Sequence, residues 1–73
     1  MILGAIEISS RSVRFCVADV GPNSSTRVTE RFHTIKALPE NLERLTAILM
    51  AEAEAAREMG VERLDVTVGA DLR

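Results

Sequence analysis

The sequence predicts a small α/β domain in which three strands precede one helix and a fourth strand follows it. Three observations support this fold class. Apolar residues recur at strand spacing before residue 37, at helical spacing between 38 and 60, and at strand spacing again after 61. With 73 residues, the chain is long enough for one domain only, which we assign to residues 1–73.

The first two strands carry the strongest patterns. Residues 2–8, ILGAIEI, are almost continuously apolar, which is typical of a central strand covered on both faces. SSRS at 9–12 predicts a turn. The segment SVRFCVADV then alternates between two faces, with Val13, Phe15 and Val17 on one and Arg14, Cys16 and Ala18 on the other.

A third strand is predicted at 27–37, RVTERFHTIKA, after the turn-forming residues GPNSST. Its polar content favours an edge strand with one face in water. The three strands form the simplest antiparallel arrangement, a meander. His33, the only histidine, has no acidic or cysteine partner at metal-ligand spacing, so it is predicted to be a surface residue.

The helix is predicted from LPENLERLTAILMAEAEAAREMG at 38–60. Pro39 suits the first turn, and Gly60 suits a left-handed cap at the end. One apolar stripe is expected to face the core: Leu42, Leu45, Leu49, Ala53, Ala56 and Met59. The acidic residues Glu52, Glu54 and Glu58 are assigned to the wet face.

The last segment, VERLDVTVGADLR at 61–73, returns to alternation, with Leu64, Val66 and Val68 on one side. A strand after such a helix normally lies parallel to a neighbour through a right-handed crossover. One helix covers only one face of the sheet, although the first strand is apolar on both. The second face is therefore expected to be buried in a homo-oligomer or by the remainder of a larger fold.

Composition excludes several classes of partner. The net charge is -2 and the nine basic residues are spread along the chain, so neither nucleic acid nor an anionic membrane is predicted to bind. No apolar run spans a bilayer and no signal peptide is recognisable, which predicts a cytoplasmic protein. Cys16, the single cysteine, is expected to be a buried small hydrophobe; the alternative, a reactive thiol, lacks a nearby base in the sequence.

The turn between the first two strands has the chemistry of a phosphate-binding hairpin. Backbone N–H groups converge in such a turn, hydroxyls add donors, and a carboxylate at the strand end can hold a cation. Glu7, Ser9, Ser10 and Ser12 occupy these positions. Serine-rich turns are common, however, and an ordinary structural turn is the alternative.

The stretch GAIEISSRSVRFCVADV resembles the opening AAIDIGTNSVRLLVADV of the exopolyphosphatase/guanosine pentaphosphate phosphatase (Ppx/GppA) family, in the actin-like ATPase superfamily. REMGVERL, at the end of the helix, is similar to the family's RELGVER. The resemblance implies a ribonuclease H-like βββαβ half-lobe, a single truncated domain of a larger fold. Family members hydrolyse polyphosphate or pppGpp with a divalent metal such as Mg²⁺, using a catalytic carboxylate from beyond the matched segment.

The resemblance also implies roles for individual residues. Glu7 stands where the family has its metal-associated Asp. Phosphate binding is assigned to five residues: Ser9, Ser10, Arg11, Ser12 and Arg73. Ser9 stands where the family loop has Gly, and Arg73 stands at the end of the fourth strand.

Three departures from the family pattern weaken this site. Glu7 extends the carboxylate by about 1.5 Å relative to Asp, which is comparable to the tolerance of a rigid metal site. Ser9 adds a Cβ where the backbone of the family loop favours glycine. Asp71 brings negative charge near a site for an anion. We therefore expect a module that is catalytically inactive alone and acts through self-association or a protein partner. The alternatives are a fragment of an active phosphatase and a small phosphate- or nucleotide-binding module.

Overall fold

A computed structural model describes residues 1–72, and Leu72 by its backbone alone. Three strands come first: β1 (Ile2–Ile8), β2 (Ser12–Val20) and β3 (Ser25–Thr34). A 3-10 turn (Pro39–Asn41) leads into helix α1 (Leu42–Glu58), which is followed by β4 (Arg63–Val68) and a second 3-10 turn (Ala70–Leu72). The predicted βββαβ order is confirmed.

The strands form one mixed sheet in the order β3-β2-β1-β4. β1 and β2 pair antiparallel, as do β2 and β3, whereas β1 and β4 pair parallel. The predicted meander, the central position of β1 and the edge position of β3 are therefore confirmed. β4 forms the opposite edge of the sheet.

Helix α1 covers one face of this sheet and encloses a small core. Its buried apolar residues are Ile6, Val13, Phe15, Val17, Ile35 and Ala56. Side chains alternate between the faces along each strand, so the pairing of Ile6 with Phe15 and of Gly4 with Val17 brings the core residues of β1 and β2 together. The predicted alternation along β2 is confirmed, and Val13, Phe15 and Val17 form its buried face.

We call the opposite side of the sheet the open face, because no described element covers it. Its apolar residues are Leu3, Ala5, Cys16, Ala18 and Phe32. Phe32 is 66% exposed, while the smaller side chains are half-buried among their neighbours. Cys16 is a free, half-buried thiol on this face, not the fully buried residue that the pattern predicts.

The molecule exposes more surface than a compact protein of its mass. The chain exposes 5165 Å², whereas a compact folded protein of 8.0 kDa exposes about 4,450 Å². Its radius of gyration is 13.0 Å, against about 11 Å for a compact domain of the same length. The two-layer arrangement is thus less compact than an independent domain of this size.

The predicted apolar stripe of the helix is right for four residues and wrong for two. Leu45, Leu49, Ala56 and Met59 pack against the core. Leu42 is 62% exposed, and Ala53 is also exposed. The buried face runs through position 52 instead. Position 49 lies four residues after 45, and position 52 lies three residues after 49, so all three share one side of the helix. Because position 52 is a glutamate, the apolar pattern of the sequence did not indicate that the buried stripe continues there.

Gly60 ends the helix as predicted. Its φ is 75°, in the left-handed region that favours glycine. The Val61 N–H donates to the Ala56 carbonyl at 3.0 Å and the Gly60 N–H to the Arg57 carbonyl at 3.1 Å. These two hydrogen bonds form a Schellman motif.

The predicted fourth strand is too long. β4 ends at Val68, and the Gly69 N–H then donates to the Ile8 carbonyl at 2.7 Å. The chain turns there into the Ala70–Leu72 3-10 turn beside the end of β1. The residues after β4 form a turn and do not continue the alternating strand pattern, since Gly69 lies beyond the last residue of β4 that pairs with β1.

Candidate functional site

The β1–β2 hairpin is tightly closed by its serines. The Ser9 N–H donates to the Ser12 carbonyl at 2.9 Å, and the two hydroxyls lie 2.7 Å apart in a hydrogen bond. No non-glycine residue among those described has a positive φ. Ser9 therefore does not require a left-handed backbone, while the expectation that its Cβ limits the close approach of an anion stays a prediction.

Ser10 holds an anion supplied by the protein itself. Its backbone N–H and its hydroxyl both donate to Oδ2 of Asp71, at 3.1 and 2.6 Å. The hydroxyl hydrogen bond is the main reason that the pKa of Asp71 is lowered, with the backbone hydrogen bond second and the charge of Arg11 a smaller contribution. The negative charge expected at this site from Asp71 is thus in direct contact with the hairpin.

A shallow cleft of about 300 Å³ lies beside the hairpin at the end of the open face. Its lining includes side chains from all four strands and from the turn: Glu7, Ser9, Ser12, Arg14, Phe32 and Thr67. Three predicted site residues, Glu7, Ser9 and Ser12, therefore meet at one cleft. Ser10 faces Asp71 instead, and Arg11 is exposed in the turn. Arg73 lies outside the described residues.

Arg14 is the cation of this cleft. Its guanidinium lies 3.1 Å from the Glu30 carboxylate and 3.9 Å from that of Glu7. The hydrogen bond and charge of Glu30, followed by the charge of Glu7, raise the pKa of Arg14. Arg27 also contacts Glu30, at 3.5 Å, so the open face carries a small network of alternating charges.

The described residues do not form a metal site by themselves. They contain no group of three or more His, Cys, Asp or Glu side chains that could hold an ion. Glu7 offers a single carboxylate, and its charged neighbour is Arg14 rather than another ligand. A protein-bound Mg²⁺ takes one or two carboxylates together with waters and substrate phosphates. The role of Glu7 as a metal ligand therefore stays a prediction of the resemblance.

A second polar cluster, which the sequence did not predict, lies between the sheet and the helix. Glu52 is only 4% exposed. Arg31 donates to both of its carboxylate oxygens at 2.7 to 3.1 Å, and His33 Nε2 lies 3.1 Å from Oε2. The Arg31 guanidinium also lies 5.1 Å from the centroid of the Phe15 ring.

This cluster corrects two expectations. Glu52 is not on the wet face of the helix, and His33 has an acidic partner. Arg31 and His33 share the inward face of β3 with the buried Ile35. This shared face is the feature of the sequence that could have indicated that the two side chains point towards the helix. The hydrogen bonds from Arg31 are the main cause of the lowered pKa of Glu52. The carboxylate is buried because its charge is paired, and the cluster fixes the helix on the sheet.

Comparison with known structures supports the fold. The chain is similar to two crystal structures of the Ppx/GppA enzyme of Aquifex aeolicus, each with a TM-score of 0.87 and 20% sequence identity over 93% of this chain. It is also similar to the type II variant of the Aquifex aeolicus Ppx/GppA phosphatase, with a TM-score of 0.84 and the same identity and coverage. The fold implied by the resemblance, a ribonuclease H-like half-lobe, is confirmed.

The matched region is a small part of those proteins. The chain spans 26% of the length of each of the three structures. No protein-family model and no curated protein sequence matches the chain. Within residues 1–72, no helix is long and apolar enough to cross a membrane.

Proposed function

We propose that the chain is an N-terminal half-lobe of the Ppx/GppA family that acts as a binding module in the cytoplasm. The order of its elements, the hairpin sequence and the structural similarity to the Aquifex aeolicus enzyme support family membership. We expect residues 1–73 alone to lack hydrolase activity, since Glu7 is the one carboxylate that the described residues contribute to the cleft.

The open face is the surface through which the module associates. The observation that carries this proposal is the excess exposed area, about 700 Å² above that of a compact protein of the same mass. A standard interface buries roughly 800 Å² on each partner, so the excess area of the whole chain is comparable to one such interface. A second copy of the chain is the proposed occupant, and the remainder of a phosphatase fold is the alternative.

Native mass and a hydrolysis assay test this proposal together. We expect sedimentation equilibrium to give twice the chain mass of 8.0 kDa, and no release of phosphate from polyphosphate or pppGpp with Mg²⁺ present. A monomer that binds no hydrophobic dye would contradict the association. Metal-dependent hydrolysis by the purified chain would contradict the inactive module and favour the alternative, a fragment that keeps phosphatase activity.

A second function, binding of phosphate groups at the hairpin, is favoured by one specific observation. The Ser10 N–H and hydroxyl converge on one carboxylate oxygen of Asp71, which supports a geometry suited to an anion. Phosphate, polyphosphate and a nucleotide share the oxygen chemistry that such donors bind. Amide chemical shifts of the hairpin during titration with inorganic phosphate test this function separately from self-association.

A further inference from the structure

The carboxylate of Asp71 lies against the donors of the hairpin that suit an external anion. A single oxygen, Oδ2, accepts hydrogen bonds from the Ser10 N–H at 3.1 Å and from the Ser10 hydroxyl at 2.6 Å. A carboxylate and a phosphate compete for such donors because both present anionic oxygens. We propose that Asp71 is an internal competitor that occupies the anion site of the hairpin until an external phosphate group displaces it.

Gly69 makes this contact sterically feasible. A Cβ at position 69 would lie 2.8 Å from Oδ1 of Asp71, closer than carbon and oxygen atoms approach without a bond. The hydrogen bond from Gly69 to the Ile8 carbonyl, 2.7 Å, also holds the start of the turn beside the hairpin. The carboxylate is thus delivered to Ser10 by the adjoining chain, which gives it a high effective concentration there.

The contact is also easily reversible. Asp71 is exposed, and Ser10 and Asp71 make their hydrogen bonds at the surface rather than in the core. Removing the carboxylate from Ser10 therefore disrupts no packing. Asp71 is ionised at neutral pH, as an anion competitor requires, and its hydrogen bonds with Ser10 lower its pKa further.

Displacement of Asp71 has a structural consequence. The 3-10 turn Ala70–Leu72 contacts the hairpin through this carboxylate, whose residue is 61 positions from Ser10 in the sequence. An anion that takes its place releases the turn, so binding at the hairpin is coupled to the position of the segment after β4. This inference rests on the proposed phosphate-binding function of the hairpin and is independent of self-association.

The test is a titration of the whole chain with inorganic phosphate, in which the amide chemical shift of Ser10 is measured at each phosphate concentration. We expect the apparent Kd to be at least about tenfold lower in Asp71→Ala than in the wild type, since a site that is free in a small fraction of molecules binds correspondingly weakly. Asp65→Ala is the matched control: it removes the same charge from β4, where Asp65 contacts Arg63 at 3.2 Å. Its Kd should equal that of the wild type.

Gly69→Ala tests the same competition while the charge of Asp71 is kept. Its Cβ displaces the flexible carboxylate, and the backbone of Gly69 does not require a left-handed conformation. We expect this variant to bind phosphate more tightly as well, and it carries the test if Asp71→Ala does not fold.

The outcomes separate the inference from the function it rests on. Equal Kd values for the wild type and both site variants would overturn the competition but leave the phosphate site standing. Equal tightening in Asp71→Ala and Asp65→Ala would reveal a general charge effect and also overturn it. The absence of a saturable shift at Ser10 in every variant would overturn the inference and the phosphate-binding function together.

Discussion

At the scale of single residues, Glu52 is the buried charged side chain among the described residues. It is buried and accepts three hydrogen bonds from Arg31 and contacts His33. A buried charge of this kind is tolerated because each oxygen has a partner. Arg31 is itself 43% exposed, so water can solvate the guanidinium when the carboxylate is removed.

We expect Glu52→Ala to lower the free energy of unfolding by about 2 kcal/mol, because it removes charge-assisted hydrogen bonds that join the helix to β3. Urea unfolding followed by circular dichroism measures the change. Glu54→Ala, on the exposed side of the same helix and paired only with Arg57, should change it by less than about 0.5 kcal/mol. Equal effects of the two substitutions would contradict a stabilising role of the buried cluster.

Stability should also depend on pH through Glu52. Its hydrogen bonds with Arg31 lower the pKa in the folded state below the ordinary 4.5, so the unfolded chain binds the proton more readily. The stabilisation is fully present above pH 4.5 and is lost as the pH falls through the folded pKa. Between pH 5 and 3, the urea midpoint of Glu52→Gln should therefore decline less steeply than that of the wild type. Asp71, whose pKa is lowered as well, leaves a residual slope in both proteins.

At the scale of secondary-structure elements, the sequence predicts what local patterns determine. The alternation of Val13, Phe15 and Val17 with Arg14, Cys16 and Ala18 identified β2 correctly, because side chains along a strand point to opposite faces and one face is buried. Gly60 likewise marked the end of the helix through a local backbone requirement.

The contacts that sequence analysis missed join distant positions. Glu52 lies 21 residues from Arg31, and a carboxylate on a helix is assigned to solvent unless its partner is known. Asp71 lies 61 residues from Ser10; the sequence predicts its charge near the hairpin, but its hydrogen bonds with Ser10 depend on the parallel pairing of β1 and β4, which brings the ends of both strands side by side. Neither pairing has a periodic signal in the sequence.

The helix end provides a prediction at this scale. We expect Gly60→Ala to destabilise the protein by about 1 kcal/mol, because a Cβ is unfavourable at a φ of 75° although nothing lies within 4 Å of it. Gly21→Ala is the matched control, since its backbone is not left-handed and the added Cβ would be 3.7 Å from the Ser24 carbonyl. That variant should be neutral or slightly more stable. Chemical denaturation of both proteins makes the comparison.

At the scale of the whole molecule, the two faces of the sheet are covered unequally. The helix encloses six buried apolar residues on one side of the sheet, while the open face has half-buried apolar side chains, the exposed Phe32 and the charge network around Arg14. The hairpin cleft opens on this same side, with Phe32 in its lining. A partner that covers the open face would therefore also cover this cleft, whose lining does not include Ser10 or Asp71.

Phe32 gives the sharpest test of that surface. If two copies meet through their open faces, Phe32→Lys loses the burial of about 1.5 kcal/mol for each of the two rings, which corresponds to a Kd for dimerisation weaker by about a hundredfold. Met50→Lys is the control, because Met50 is equally exposed, at 68% against 66%, but lies on the helix, away from the open face. Sedimentation equilibrium over a range of concentrations measures both Kd values, and circular dichroism verifies that the fold is unchanged. If the two substitutions weaken the dimer equally, or if neither weakens it, the open face is excluded as the interface between copies.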